Sequence, residues 1–451
     1  MLRERTNYLL LLLLALSLVR GILYASLVPP WQAPDEIAHF EYINLLYQKR
    51  HLLQPEDASP VLQQRIISSM YENRFWSYIP YPQPHTMPLS LAETPFVGPS
   101  SVLGRFSLAY LLSALLFGPV FYQDIVTQLY AMRLVSVILG MLVVAMAFLT
   151  VRELFPDDNF LLVTVPAWIV FLPQHTYINS SVSDGNLAEL LVSILICGVV
   201  VGFKRGLSLR RVVLIALLPP LSLLTKATTS FIIPWLGLAI PIYVWAGDRS
   251  IPITRRTREA MLAIVALVAG VAFYSVTRAP GLDYLRSGIS ALLSRQTQMA
   301  TDFPALRSHA ILLFESFWAY FGWVTVRMGS SIYALLGVVS VVATLGIIAS
   351  LAYGRGEPRT LEGWQRAVIC ILGLCALLSI TINFVGALGG PQGRYLYPAI
   401  IAFSILFMLG IRRFIPSGYE KYLLPLIICS FFLFDTLCLM DYLLPFFYGR
   451  G

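Results

Sequence analysis

The sequence predicts an all-α polytopic membrane protein, a bundle of about 11 transmembrane helices with two long external loops carrying surface helices. Three observations lead there. The 451 residues are 57% hydrophobic and only 12% charged, with a mean hydropathy of +0.73; a soluble chain carries about twice that charged fraction. Apolar runs of about 20 residues, the length that crosses a bilayer, recur along the chain. The basic residues are scattered through the connections between those runs, as topology signals are. The length alone would suggest two or three soluble domains, but the apolar runs override that prior. We read residues 1–451 as a single integral membrane domain. The net charge of +8 therefore carries no nucleic-acid reading. All five cysteines (Cys197, Cys370, Cys375, Cys429, Cys438) lie inside apolar segments, which excludes a disulfide framework or a zinc cluster and leaves small packing residues.

The first run follows Arg3 and Arg5. Its leucine-rich part, Tyr8–Val19, has the look of a cleaved signal peptide, but apolar character resumes after Arg20 and reaches Val28, long enough to span. The expected spans are 7–28, 129–151, 159–178, 186–203, 210–225, 228–246, 259–277, 331–353, 364–386, 396–413 and 421–446. Basic residues crowd one set of connections: Arg152; Lys204 and Arg205; Arg255, Arg256 and Arg258; Arg355; Arg412 and Arg413. The positive-inside rule places these and the N-terminus in the cytoplasm of a cell whose inner membrane holds the chain.

The opposite side receives the long loops, 29–128 and 278–330. The first opens with PPWQAPDEIAHF at 29–40. Pro34 suits a first helical position, and Asp35 and Glu36 then fall in a first turn, where the helix dipole favours acids. Ile37, Phe40, Ile43 and Tyr47 recur at helical spacing, so 34–50 reads as an amphipathic helix on the membrane surface. Tyr78 to Pro88 is proline-rich and irregular. Segment 102–121 is apolar enough to span. Counting it would invert the charge bias of every later loop, so it reads as an external, partly immersed helix. In the second loop, Leu285, Ile289, Leu292 and Leu293 suggest another surface helix. Phe314, Phe317, Trp318, Tyr320, Phe321 and Trp323 form an aromatic band of the kind that anchors at headgroup level or lines a groove for an isoprenoid chain.

Polar groups at the external ends of spans are the informative set, because burying them in lipid is costly. Asp35, Glu36 and His39 follow the first span; Arg133 opens the second. Gln174, His175, Asn179 and Asp184 fall in LPQHTYINSSVSDGN, Lys226 in LLTKATTS, and Gln392, Arg394 and Tyr395 in GGPQGRYLYP. Together they collect acids and bases on one membrane face. Such a mixture suits transfer of a sugar from a lipid phosphate. Arg and Lys hold phosphate oxygens, and a carboxylate takes the proton of an attacking hydroxyl. Two adjacent acids allow one to act as base while the other orients the acceptor or a metal ion. Each residue also has a plainer reading. Asp35 and Glu36 would cap a helix, His39 would be a surface hydrogen bonder with no partner ligand at metal spacing, Asp184 would be an N-cap, and Lys226 and Arg133 would snorkel. Arg394, in a Gly-rich turn suited to anions, resists such a reading best.

The order of a first span, an acidic pair, a long external loop, an Arg-led second span and an Asp after the third resembles the GT-C superfamily of membrane glycosyltransferases, such as protein O-mannosyltransferases and aminoarabinose transferases. PPWQAPDEIAHF, INSSVSDGNLAELL, LLTKATTSFIIP and QGRYLYPAI look most like a bacterial family of predicted membrane proteins placed near that superfamily. The resemblance implies inverting transfer of a hexosyl or pentosyl group from a polyprenyl-phosphate sugar to an acceptor hydroxyl of a glycan, lipid or protein. It makes Asp35 the base, with Glu36 and Asp184 as further catalytic acids. Arg394, Lys226 and Arg133 become donor-phosphate contacts, and His39, His175, Gln174, Asn179, Gln392 and Tyr395 substrate contacts. It assigns no metal ligands and leaves a divalent cation open. The chain departs from the pattern in reading TPFVGPSSVLGRF where an HPPL-type stretch is usual. It also shows no soluble domain after the last span, which argues against protein N-glycosylation. Two other classes stay open on the sequence: a transporter or flippase of a lipid-linked glycan, with charges near the bilayer midplane, and a ligase or polymerase transferring whole glycan chains.

Overall fold

The computed structural model describes residues 2–97, 103, 105–246, 303–352, 361–386, 390–416 and 418–449. It is helical almost throughout. Helices α1 (Leu2–Leu27), α2 (Glu36–Lys49), α3 (Pro60–Glu72), α4 (Leu108–Phe117), α5 (Ile125–Leu154), α6 (Asn159–Phe171), α7 (Pro173–Asn179) and α8 (Gly185–Arg205) make the first half. The second half comprises α9 (Leu209–Thr225), α10 (Ile232–Ala246), α11 (Phe303–Trp318), a two-residue hairpin of β1 (Tyr320–Phe321) and β2 (Val326–Arg327), α12 (Ser330–Ala352), α13 (Gly363–Gly386), a 3-10 turn over Gly393–Ala399, α14 (Ile400–Arg413), α15 (Glu420–Leu437) and α16 (Leu444–Tyr448). In the hairpin, Tyr320 pairs with Arg327 and Phe321 with Val326, antiparallel.

Among the described residues seven helices are long and apolar enough to cross a membrane, or eight if the bent pair α6 and α7 is one span. The chain is thus a multi-pass membrane protein. The expected span 259–277 and the surface helix at 285–293 lie outside the described residues. Helices α9 and α10 are only 17 and 15 residues long. The expected third span is broken instead of continuous. Pro173 has no N–H to continue the ladder, and the chain bends 63° between α6 and α7. Helix α4, at 10 residues, is about 15 Å long, half of what a span needs.

Helix α5 packs against α1 on one side and α8 on the other. Its N-terminus is fixed by Asp124, whose carboxylate accepts from the Val126 and Thr127 N–H groups, the usual N-cap arrangement. Helices α12 and α14 touch backbone to backbone. A Cβ on Gly346 would sit 2.0 Å from the Gly410 carbonyl oxygen, so only glycine permits the approach. Ion pairs gather at one end of the bundle. Glu153 meets Lys204 and Arg205, and Arg412 meets Asp158 and Glu420.

Two apolar cores result. The larger lies among the long helices. The smaller, built on Trp31, Ile37, Phe40, Ile66, Met70, Phe75 and Phe117 among others, sits under the 29–128 loop. Here the surface-helix expectation for 34–50 needs correcting. Residues Glu36 to Leu46 of α2 are buried except Ala38, because α3 and α4 cover the helix. Half of the aromatic band is interior. Phe317, Trp318 and Phe321 are buried, and Phe317 and Trp318 pack on Trp168, Phe403 and Phe407, while Phe314, Tyr320 and Trp323 are partly exposed.

Candidate active site

The stretch between α1 and α2 is wound unusually. Trp31 has φ 69° and Asp35 φ 64°, left-handed conformations that cost non-glycine residues roughly 1–2 kcal/mol each. Neighbours hold this loop. The Trp323 indole N–H donates to the Trp31 carbonyl at 3.1 Å, and the Tyr177 hydroxyl donates to the Gln32 carbonyl at 2.7 Å. Asp35 becomes the residue before α2 instead of lying in its first turn, and its side chain caps nothing.

That winding sends the two adjacent acids in opposite directions. Glu36 points inward and is fully buried. It accepts from Arg133 Nε at 2.9 Å and Nη2 at 2.6 Å, and from the Val182 N–H at 3.2 Å. The remaining Arg133 N–H groups donate to the carbonyls of Ala25, Val28 and Pro29. Arg133 therefore keeps no donor for a ligand, and Glu36 keeps no oxygen free of a partner. The pair locks the end of α1 and the start of α2 onto α5.

Asp35 points the other way, with half of its side chain exposed. Its Oδ2 accepts from Arg394 Nη2 at 2.6 Å, across 359 positions of sequence. Arg394 Nη1 reaches the Pro34 carbonyl at 3.3 Å, and its Nε is buried without a partner among the described residues. The guanidinium stacks over Tyr395, 5.3 Å from the ring centre. Gly393 makes this placement possible. Its N–H donates to Ser316 Oγ at 2.8 Å, and a Cβ there would lie 2.1 Å from the Phe317 nitrogen.

A second acid–cation pair joins the first. Asp184, at the start of α8, meets Lys226 Nζ at 2.5 Å. Lys226 occupies the break between α9 and α10. Ser107 holds that break by donating to the Thr225 carbonyl at 2.9 Å. A Cβ on Gly185 would come within 3.2 Å of Nζ. His39 links the pairs: Nε2 lies 4.0 Å from Asp184 Oδ1, and Nδ1 lies 2.7 Å from the Tyr110 hydroxyl.

The charges explain the protonation states. Burial raises the Asp35 carboxyl, but Arg394, then His39 and Lys226, outweigh it and bring it down to about 2. Burial likewise raises Asp184, and Lys226 and His39 hold it below the usual carboxylate range. Burial pushes His39 down against the pull of Asp184, which leaves the imidazole neutral near pH 7. Two carboxylates, two cations and one neutral imidazole thus share one face, contributed by the loop after α1, α2, the start of α8, the α9–α10 break and the 393–399 turn.

The chain is similar to the archaeal oligosaccharyltransferase AglB from Archaeoglobus fulgidus, solved with an inhibitory peptide and a dolichol-phosphate, at a TM-score of 0.49 and 12% identity, over 98% of this chain and 56% of that one. It is also similar to ArnT from Cupriavidus metallidurans bound to undecaprenyl phosphate, at 0.45 and 15%, over 93% of this chain and 63% of that one. The chain spans less than two thirds of the length of either. No protein-family model matches the sequence, and neither does any curated protein.

The other expected contacts divide. Tyr395 and Gln392 flank Arg394, with the Tyr395 N–H donating to the Gln392 carbonyl at 3.0 Å. Gln174 instead serves the frame, accepting from the Tyr320 N–H at 2.7 Å. His175 and Asn179 are buried inside the bundle with Glu189, which the sequence reading missed. The signal for Glu189 was an acid set in the apolar run LAELLVSIL. Arg20 and Asp435 were missed as well. They pair inside the bundle, with the Tyr24 hydroxyl donating to Asp435 at 2.7 Å.

Proposed function

We propose that this chain is a GT-C-type glycosyltransferase. It moves a hexosyl or pentosyl group from a polyprenyl-phosphate donor to an acceptor hydroxyl of a glycan, lipid or protein, on the external face of the inner membrane. The observation that carries the reading is the Asp35–Arg394 ion pair beside Asp184–Lys226. Four residues from distant parts of the chain place two anion-holding cations next to a half-exposed carboxylate.

In this reading Asp35 takes the proton as the acceptor oxygen attacks the anomeric carbon. The bond from that carbon to the phosphate oxygen breaks, and the electron pair leaves on the phosphate. Arg394 and Lys226 stabilise the charge that develops there, a role that fixed cations fill well in a site shielded from water. Among the described residues Arg394 Nε has no hydrogen-bond partner, so the guanidinium keeps a donor beyond those that hold Asp35 and Pro34. Asp184 keeps Lys226 charged and in place. His39, neutral and tied to Tyr110, is a substrate contact or a store for the proton. Gln392 and Tyr395 border the phosphate position. Glu36 and Arg133 hold the frame.

Among the described residues no three His, Cys, Asp or Glu side chains cluster as ligands, and both exposed-face acids already pair with cations. No step is assigned to a metal.

The test is Asp35→Asn in the purified full chain, given a synthetic polyprenyl-phosphate sugar and assayed for sugar transfer. A positioned base supplies about 10²–10⁴-fold, so turnover should fall by that factor. Turnover within a few-fold of wild type removes Asp35 from the role.

A further inference from the structure

A second polar site lies away from the acid–cation face, between α1, α5 and the bend of α6 and α7. Ser17, Gly21, Val137, Gly140, His175 and Asn179 contribute to a cavity there of about 20 Å³. Small residues open it. Gly21 stands where a Cβ would press on Val137 at 2.5 Å, and Gly140 where one would meet Asn179 at 3.0 Å.

Its polar wall is a compact network. His175 Nε2 lies 2.6 Å from Glu189 Oε1, and Asn179 Nδ2 lies 3.1 Å from Glu189 Oε2 and 2.9 Å from His175 Nε2. Both Glu189 oxygens are thereby used. The Asn179 amide oxygen is not. Asn179 is 5% exposed, and its Oδ1 has no partner among the described residues. That oxygen faces Gly140, 3.2 Å from where a Cβ would be, and so faces the cavity. The carbonyl of Val170, another lining residue, accepts from Arg20 Nε at 2.9 Å and from the Thr176 hydroxyl at 3.1 Å. The broken span therefore has its loose backbone oxygen satisfied, while one buried side-chain acceptor stays open.

We propose that this cavity is an internal hydration site, holding one ordered water that donates to Asn179 Oδ1. A single water needs about 10–15 Å³ on the same measure and two to four polar partners. The cavity meets the first requirement, and Asn179, His175 and the Ser17 hydroxyl supply the second. Leaving a buried amide oxygen unpaired is costly, which favours filling the site. The water joins α1 to the Asn179–Glu189–His175 set and so ties three helices at the bend. His175 in turn stands edge-on to Tyr397, 5.2 Å between ring centres, on the same short turn that carries Arg394.

Hydroxyl-radical labelling of the detergent-solubilised full chain tests this. Radicals formed from a resident water oxidise side chains beside it even where bulk solvent does not reach. His175, 3% exposed, should gain oxygen, and Asn179→Leu, which removes the acceptor and fills the space, should lower that label at least fivefold. Wild-type protein with exposed Tyr122 labelled but His175 unlabelled overturns the proposal. So does an Asn179→Leu protein that keeps the wild-type label at His175. If Asn179→Leu does not fold, Ser17→Val supplies the second arm and should lower the label in the same direction.

Discussion

Glu36→Gln and Asp35→Asn, made separately, should damage different properties of the protein. Glu36 is fully buried against an Arg133 side chain that is 1% exposed. It takes two guanidinium hydrogen bonds of 2.9 and 2.6 Å and one backbone bond of 3.2 Å. Hydrogen bonds to charged groups contribute about 1.5–3 kcal/mol each. Removing one partner of a buried pair costs about 3–5 kcal/mol, since the other charge stays in place uncompensated. The Gln amide keeps one acceptor, and Arg133 keeps three carbonyls, so the lower end of about 3 kcal/mol is expected. Asp35 is half exposed; pairs of that kind contribute about 0–1 kcal/mol. The assay is thermal unfolding of the purified chain in detergent, followed by tryptophan fluorescence, with transfer activity measured in parallel. Glu36→Gln should melt several degrees lower. Asp35→Asn should melt near wild type and lose turnover. A Glu36→Gln protein within about 0.5 kcal/mol of wild type, the scatter of surface changes, would refute the clamp. An Asp35→Asn protein that melts lower than Glu36→Gln would refute the division of labour.

Three other expectations follow from the same geometry. Asp35 is lowered to about 2 when folded and sits near 4 unfolded, so its contribution to stability is full above about pH 4 and fades as pH falls towards 2; melting curves across that range should lose this acid limb in Asp35→Asn. Gly393→Ala forces a Cβ to within 2.1–2.4 Å of the Ser316 and Phe317 backbone, which costs about 1–3 kcal/mol or more and displaces Arg394; donor KM should rise and the melting temperature fall, and a wild-type profile in both would show the approach is not tight. Arg20→Met strands the buried Asp435 carboxylate and should cost about 3–5 kcal/mol, whereas Arg20→Met with Asp435→Leu should recover much of that; a double variant less stable than either single one would show that the pair is no isolated tie between α1 and α15.

The cost of placing charge in lipid made much of the site legible in sequence. Asp35, Asp184, Lys226 and Arg394 each stood at the end of an apolar run, and the structure brings these four together. Their partners were not legible, because pairing depends on which helix ends meet. Glu36 and Arg133 look like site residues for the same reason, and only the backbone turn at Asp35 separates them from it. Arg20, Glu189 and Asp435 obeyed the rule too, as charges inside apolar runs. Their partners lie on other helices, so nothing in the run around each one marks it as paired. Hydropathy measures how apolar a run is, not whether it stays straight. At Leu172–Pro173 the run continues while the helix does not.

The left-handed backbone at Asp35 connects these pieces. A non-glycine residue keeps such a conformation only where its surroundings over-determine it, and here they do. Arg133 fixes Glu36 on one side, while Trp323 and Tyr177 fix Trp31 and Gln32 on the other. With both flanks held, Asp35 has no route into the first turn of α2, where its carboxylate would cap backbone N–H groups and be lost to chemistry. It is held outward instead, against an arginine that arrives from the far end of the chain. The most buried ion pair of the loop and its most exposed carboxylate are thus one construction. A substitution that relaxes the first therefore draws on the stability of this turn, as Glu36→Gln does, whereas Asp35→Asn leaves the turn held by Arg133, Trp323 and Tyr177.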